Sequence, residues 1–291
     1  MEKRQLIITA DDYGMCTMVD KAIDDCIEAG LLTSTNVVMN MEDLDAAKTL
    51  RTRFPDVSVG LHWNVTAGNP ICNVSDVPSL IDPSTGNFWK VVKFIKRFKS
   101  GEIVKEELKK ELLAQYNLFV ELCGQPDYWN THQNSSVDFA TNKFFNRTAQ
   151  ELGLYKTRSQ RRVYANQRFP SKSLKDIIIE LGKKIVFDIW FGYQIPSTGV
   201  KMPEGRVLYF DLSEKTRDIK NIGENIRWGN KRIVEMVIHP SISPDYPSFG
   251  TITHERVEEW KMFTSPETKQ YLESVGLELV SFRVLDNDLE N

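Results

Sequence analysis

Several common features are absent from this sequence, and each absence excludes a class of protein. No run approaches the roughly 18 consecutive apolar residues that cross a bilayer, so we expect no membrane-spanning segment. The net charge of -3 lacks the positive excess typical of nucleic-acid binding. Only four cysteines occur in 291 residues, without CxxC spacing, which predicts free thiols. The N-terminus has no apolar secretory segment, so we expect a cytoplasmic protein.

A glycine-rich phosphate loop is also absent after every predicted strand, which argues against an open nucleotide-binding sheet. Instead, short apolar runs alternate with amphipathic ones, as in parallel sheets with crossover helices. Strands are predicted at 5–10, 35–39, 57–62, 128–132, 154–157, 185–190, 207–210 and 233–239. Helices are predicted at 18–29, 43–54, 104–122, 139–152, 174–183 and 220–228, with two more between 255 and 275. About eight strands in this order predict an α/β fold, a single-domain TIM-like (β/α) barrel over 1–291.

Two segments of this barrel stand out by composition. Residues 63–88 are rich in Asn, Pro, Gly, Ser and Asp and are too long for an ordinary strand-to-helix connection. We therefore predict a long substrate-facing loop there. The lysine-rich helix at 104–122 places Glu107, Lys110 and Glu111 among apolar positions, which predicts a solvated outer helix.

The pair Asp11-Asp12 follows the apolar run at 6–10 and precedes Tyr13-Gly14. Two adjacent carboxylates at the end of a buried strand repel each other and lose hydration, which is costly unless a cation, a proton or a catalytic task compensates. A metal-assisted site is one interpretation. The other is an N-cap or Asx turn, because Asp and Gly are ordinary residues of strand-to-helix loops. The pair alone leaves both open.

Three of the four histidines, His62, His132 and His239, each close a predicted strand. The carboxyl ends of barrel strands converge on one mouth, so we expect these histidines to meet the acidic pair there. One aspartate and two histidines suit a divalent metal that lowers the pKa of water and polarises a carbonyl. The second aspartate could then act as the base and His239 as the acid. This set predicts hydrolysis of an amide or an ester.

Further motifs occur in order along the chain: Thr9-Ala10-Asp11-Asp12-Tyr13-Gly14, Leu31-Leu32-Thr33-Ser34-Thr35 with Asn40, Gly60-Leu61-His62, Thr131-His132-Gln133, and Glu235 through His239-Pro240. The segment 254–281 adds a similar C-terminal pattern. Each motif is weak alone, but the ordered set resembles the YdjC-like (ChbG-like) carbohydrate deacetylases, which are related to NodB-type polysaccharide deacetylases. The resemblance covers nearly the whole chain.

This resemblance implies an irregular, NodB-related (β/α) barrel that removes acetyl groups from N-acetylated sugars or short chitooligosaccharides. It implies a divalent metal ion, Mg in the first place, although these ligand types also accept Zn, Mn, Co or Ni. By position, Asp11 resembles the catalytic base and His239 the general acid. The metal ligands implied are Asp12, His62 and His132.

Substrate contacts are expected from Arg158, Trp63, Asn134 and Tyr193. Arg158 is similar to a family arginine near the site and could orient Asp11, although a surface or salt-bridging role is the alternative. Trp63 and Tyr193 follow strand ends, where aromatic rings can stack on the apolar faces of sugars. Packing in the barrel is the alternative for both. The substrate implied is a small N-acetylated carbohydrate, with no nucleic acid or membrane as partner, and a homodimer is the default expectation.

The sequence departs from the family pattern around His132. The family commonly shows Asp-x-His-x-His-x-His, whereas this chain has Asn130, Asn134 and Ser136 in place of the acid and the last two histidines. If these residues support the ligands, metal binding differs, and if one touches substrate, specificity differs. Two alternatives therefore stay open. One is a sugar- or metal-binding homologue without turnover, and the other is a hydrolase of a phosphorylated disaccharide, which a basic patch at Arg158, Arg161 and Arg162 would favour.

Overall fold

The computed structural model describes residues 4–161, 163, 182, 185–208, 228–247 and 252–289. Its strands are β1 (Gln5–Tyr13), β2 (Ser34–Val37), β3 (Ser58–Trp63), β4 (Trp129–Thr131), β5 (Gly205–Leu208), β6 (Ile233–Ile238) and β7 (Glu278–Leu279). Its α-helices are α1 (Thr17–Glu28), α2 (Asp45–Arg53), α3 (Val91–Ser100), α4 (Lys105–Cys123), α5 (Phe139–Glu151), α6 (His254–Phe263) and α7 (Pro266–Ser274). Most of the predicted helices at 174–183 and 220–228 lies outside the described residues, as do the last two residues of the predicted strand at 207–210.

The strand pairs within the described residues are all parallel, in the order β4-β3-β2-β1-β6-β5, with β7 beside the start of β1. Residues 155–161 and 163 join the two ends of this sheet through isolated bridges and backbone hydrogen bonds. The Trp129 N–H donates to Lys156, and the Thr157 N–H donates to Lys201. The Val163 N–H donates to Arg206 on β5. The strands therefore close into an irregular (β/α) barrel, which confirms the predicted α/β fold class.

The two faces of the barrel strands bury different kinds of side chain. On β1, Leu6, Ile8 and Ala10 belong to the large core shared with the helices. The alternate residue Ile7 points into the barrel, as the period of two along a strand requires. There a small apolar cluster fills one end of the barrel, made of Ile7, Tyr128, Ile233, Phe282 and Leu285. Polar and charged side chains occupy the interior beyond it, toward the carboxyl ends of the strands.

Gly60 shows how tightly this interior is packed. A Cβ atom added at Gly60 would lie 2.6 Å from the ring of Tyr128, so only glycine leaves room for that ring. The Tyr128 ring in turn stacks on Phe282, with the ring centroids 3.8 Å apart. Because Gly60 lies two residues before His62 on β3, this packing also helps to fix the position of the strand from which the histidine projects.

The structure corrects two sequence predictions and contains one helix that was not predicted. The predicted strand at 185–190 is wrong, because 185–189 are helical and continue into a π-helix (Trp190–Gln194). A short apolar run suits either structure, and here Phe187 packs on Phe191 at the helical spacing of four. The helix predicted at 104–122 exists as α4, but Glu111 on it is buried, not solvated. The basic helix α3, which buries Phe94 and Phe98, was not predicted.

Other predictions hold within the part of the chain that the structure describes. All four cysteines are free thiols. No described helix is both long enough and apolar enough to cross a membrane. The segment 63–88 contains two short 3-10 helices and one isolated antiparallel bridge, and whether it faces a substrate remains a prediction.

Candidate active site

The acidic pair enters the barrel because β1 is irregular at its end. The pairing of β1 with β2 shifts between Ala10 and Tyr13, where β1 has one residue more than its neighbour. Asp12 adopts the left-handed backbone region, with φ 77°. As a result both carboxylates, at successive positions, are buried, with Asp11 3% and Asp12 1% exposed. Neither is the N-cap of α1, since that position is Cys16, so the turn interpretation is not supported.

Asp12 faces two of the predicted histidines. Its Oδ1 lies 3.0 Å from His132 Nδ1 and 3.5 Å from His62 Nε2. These three residues form the one described group of His, Cys, Asp or Glu side chains that is close enough to share a metal ion. Ligands bound at about 2.1 Å lie about 3.0 to 3.4 Å from one another, so the observed spacings fit a divalent ion. The donor set of one carboxylate oxygen and two imidazole nitrogens also fits.

Asp11 is held by a buried arginine. Arg158 donates from Nη1 to Asp11 Oδ2 at 2.6 Å and from Nη2 to Asp11 Oδ1 at 2.7 Å. Its Nε donates to Glu235 Oε1 at 3.0 Å, so one guanidinium joins two carboxylates. Burial alone would raise the pKa of Asp11, but the charge and hydrogen bonds of Arg158 outweigh it and hold the pKa well below its usual range. Asp11 is therefore ionised at neutral pH.

His239 completes the mouth from the end of β6. Its Nε2 lies 3.7 Å from Asp11 Oδ2, and its backbone N–H donates to Glu259 on α6. Burial lowers the pKa of His239 to about 4, since desolvation of the imidazolium outweighs the attraction of Asp11 and Asp12. The imidazole is therefore neutral at neutral pH.

Arg256 is a site residue that sequence reasoning missed. It lies on α6, and its Nη2 donates to Asp12 Oδ2 at 2.8 Å. Arg256 and the nearby Glu259 are both buried and lie three positions apart, on one face of the helix. Two charged residues at helical spacing on a face that packs inward are the signal that could have identified them.

Three residues stand where the family has an acid and two histidines, and all three lie close in sequence to His132: Asn130, Asn134 and Ser136. The side-chain amide of Asn130 contacts His62 Nδ1, on the side of the ring away from Asp12. Asn134 lies in the left-handed region with φ 53°, and its Oδ1 accepts from Arg206 Nη1 at 2.7 Å. The Ser136 hydroxyl bonds to Thr131. Asn130 is thus the one of the three in contact with a candidate ligand.

Of the two predicted aromatic contacts, Trp63 is buried in the core. The Trp63 side chain has no exposed surface, and its Nε1 donates to the Leu112 carbonyl at 3.0 Å. Its ring packs against Trp129 and Phe145, which leaves no face for a sugar. We therefore assign Trp63 to the core. Tyr193 is 75% exposed on the π-helix, and its contact with a substrate stays a prediction.

Comparisons with known proteins agree with this geometry. The profile of the family described as YdjC-like protein matches residues 5–274. The chain is 26% identical to a carbohydrate deacetylase of Xenopus laevis over 307 aligned residues, covering 96% of this chain and 97% of that protein. It is 33% identical to a chitooligosaccharide deacetylase of Proteus mirabilis (strain HI4320) over 130 residues, covering 44% of this chain and 49% of that protein.

A solved structure shares the fold over nearly the whole chain. It is that of a candidate cellobiose-phosphate cleavage protein from Enterococcus faecalis V583. The TM-score is 0.73 at 22% identity, and the match covers 98% of this chain and 99% of that one. At this identity the likeness establishes the barrel fold and not the reaction.

Proposed function

Because the chain belongs to the YdjC-like protein family, we propose that it is a metal-dependent hydrolase that removes acetyl groups from N-acetylated sugars or short chitooligosaccharides. The observation that carries the proposal is the buried set of Asp12, His62 and His132 beside the paired Asp11 and Arg158. The curated relatives named carbohydrate deacetylase and chitooligosaccharide deacetylase support the substrate class. Mg stays the metal implied by resemblance, and the cytoplasmic location and the homodimer stay predictions.

The two aspartates have different roles in this mechanism: Asp12 is a metal ligand and Asp11 is the base. A divalent ion at Asp12, His62 and His132 would supply Lewis-acid activation of water and of the acetamide carbonyl. Asp11 accepts the proton of the attacking water, because its carboxylate is ionised and lies on the same strand end. Arg158 fixes the orientation of that carboxylate through two parallel hydrogen bonds.

His239 protonates the sugar amine as the C–N bond breaks. Because its imidazole is neutral at neutral pH, it must first receive a proton. The neighbouring Asp11 Oδ2 at 3.7 Å is placed to pass on the proton taken from water. The proton thus moves from water to Asp11, then to His239, and finally to the leaving amine.

The test is acetate release from diacetylchitobiose and N-acetylglucosamine by the purified protein, with Mg²⁺, Zn²⁺, Mn²⁺, Co²⁺ or Ni²⁺ added and with EDTA as the metal-free control. We expect release that EDTA abolishes and that Asp11→Asn reduces by about 10²-fold or more, the usual contribution of a general base. The matched control is Asp56→Asn, an exposed carboxylate in the loop after α2. Equal rates for wild type and Asp11→Asn, or no release from any N-acetyl sugar, would refute the proposal.

The two alternatives receive less support. A binding protein without turnover would bind these sugars without releasing acetate, and the same assay separates the two. A phosphorylated substrate was expected to use Arg158, Arg161 and Arg162. Arg158 is committed to Asp11 and Glu235, Arg161 Nε lies 3.5 Å from Asp188 Oδ1, and Arg162 lies outside the described residues.

A further inference from the structure

The two carboxylate oxygens of Asp12 have separate partners. Oδ1 is the oxygen that faces His132 Nδ1 and His62 Nε2. Oδ2 accepts from Arg256 Nη2 at 2.8 Å. Both side chains are almost fully buried, with 4% of the Arg256 side chain and 1% of the Asp12 side chain exposed. Water therefore competes little for this hydrogen bond, and the carboxylate is oriented by the two groups of protein atoms around it.

The helix that carries Arg256 is anchored to the barrel far along the chain from Asp12. Arg256 follows Asp12 by 244 residues and lies on α6, which packs against α1. The carbonyl of Arg256 accepts from the Ser241 N–H at 3.1 Å, in the loop that follows β6. On the same face of α6, Glu259 accepts the backbone N–H of His239. The helix is thus tied to the barrel mouth at both of these residues.

We propose that Arg256 is a positioning residue of the metal site, which holds Asp12 Oδ2 so that Oδ1 alone is presented to the ion. Asp12 would then bind an ion through Oδ1, the oxygen nearest the two histidines. The guanidinium also compensates the Asp12 charge before an ion arrives, so the site is assembled in advance. This inference rests on the metal site of the proposed function and not on the deacetylation itself.

Two opposing effects decide what the loss of Arg256 does. Removing a positive charge near the site relieves its repulsion of the ion, which would tighten binding. It also frees the carboxylate to rotate and leaves it without its oriented donor, which weakens binding. We expect the orientation effect to be the larger, because the guanidinium contacts Oδ2, whereas Oδ1 is the oxygen near the two histidines. Loss of a group that orients a ligand typically costs about 10- to 100-fold in metal affinity.

The experiment titrates Co²⁺ into the full-length apoprotein by calorimetry and by visible absorption, which reports coordination number. We expect Arg256→Leu to weaken Co²⁺ binding by about 10- to 100-fold and to change the absorption spectrum. Arg256→Lys, which keeps the charge but offers a single ammonium in place of a planar fork, should recover part of the affinity. The matched control is Arg51→Leu, because Arg51 pairs with Asp127 and three backbone carbonyls remote from the acidic pair.

The outcomes are distinguishable. Binding within twofold of wild type by both variants, with an unchanged spectrum, would overturn the inference, as would tighter binding by Arg256→Leu. If Arg256→Leu fails to fold, Arg256→Lys decides alone, and an affinity equal to that of wild type would overturn the role. Equal weakening by Arg51→Leu would show that lost stability and not positioning is responsible. Absence of Co²⁺ binding by wild type would instead refute the metal site on which the proposed function depends.

Discussion

Replacing Arg158 by Met should be among the most damaging single changes in this barrel. Met is unbranched and apolar and can replace the aliphatic part of the Arg side chain, so the change removes the guanidinium with its charge and its donors. In the native protein Arg158 donates to Asp11 at 2.6 and 2.7 Å and to Glu235 at 2.9 to 3.2 Å. The change therefore leaves two buried carboxylates without their shared cation.

The expected loss of stability follows from the burial of the two carboxylates. Asp11 and Glu235 are 3% and 0% exposed, so water cannot replace the lost guanidinium. Breaking a buried ion pair on one side typically costs about 3 to 5 kcal/mol, because a buried charge is left uncompensated. A domain of this kind has a free energy of unfolding of about 5 to 15 kcal/mol in total. The variant should therefore be marginally folded, and acetate release should be lost because Asp11 is no longer oriented.

The loss in free energy of unfolding caused by Arg158→Met should increase with pH. Without Arg158, burial raises the pKa of Asp11, so the folded variant binds a proton that the unfolded chain has released. Stability of the variant then falls as the pH rises above the unfolded pKa of about 4. The difference from wild type should be larger at pH 8 than at pH 5.

Urea unfolding at both pH values measures this difference. Arg158→Lys keeps a charge and should lose less stability than Arg158→Met. Arg147→Met is the control, because the Arg147 side chain is 82% exposed beside Glu151 and its change should cost under about 0.5 kcal/mol. A loss below about 1 kcal/mol at pH 8 for Arg158→Met, or an equal loss at both pH values, would refute the reasoning.

Two further changes test buried carboxylates away from the mouth. Burial raises the pKa of Asp20 to about 8, and its Oδ1 accepts the Gly14 N–H at 2.7 Å. The folded protein thus keeps a proton that the unfolded chain loses above about pH 4, so wild-type stability falls between about pH 4 and 8. Asp20→Asn should remove this fall, which is on the order of 5 kcal/mol, and parallel pH profiles of unfolding for the two proteins would contradict it. Glu111 accepts from the Ile71 and Cys72 N–H groups and from Gln115, which anchors the segment 63–88 to α4. Glu111→Gln points an amide donor at these donors and should cost about 1 to 3 kcal/mol in urea unfolding and speed proteolysis within 63–88, whereas the exposed control Glu106→Gln should change neither.

Much of the barrel was predictable because its strands are buried on both faces. Such strands are short apolar runs, and their spacing along the chain reveals the parallel sheet. The boundaries of β1, β2, β3 and β6 were found to within a few residues for this reason. The run at 185–190 failed because a short apolar run is equally compatible with a buried helix.

The candidate site was predictable in part for the same geometric reason. Asp11, Asp12, His62 and His239 lie at strand ends, and the carboxyl ends of parallel strands meet at one mouth. Arg256 lies on a helix far along the chain, so no local pattern connects it with Asp12. Trp63 was assigned to substrate from its position after His62, although side chains alternate along a strand and its ring faces the helices instead.

The sequence by itself determined which chemical groups reach the mouth from the strand ends, because a residue's type and its position along a strand are both read from the sequence. Only the tertiary structure decided how those groups are paired. The extra residue at the end of β1 turns both aspartates inward, and Arg158 and Arg256 then take one each. Burial makes the pairing decisive, since a carboxylate that water cannot reach is controlled by whichever cation or donor the fold brings to it.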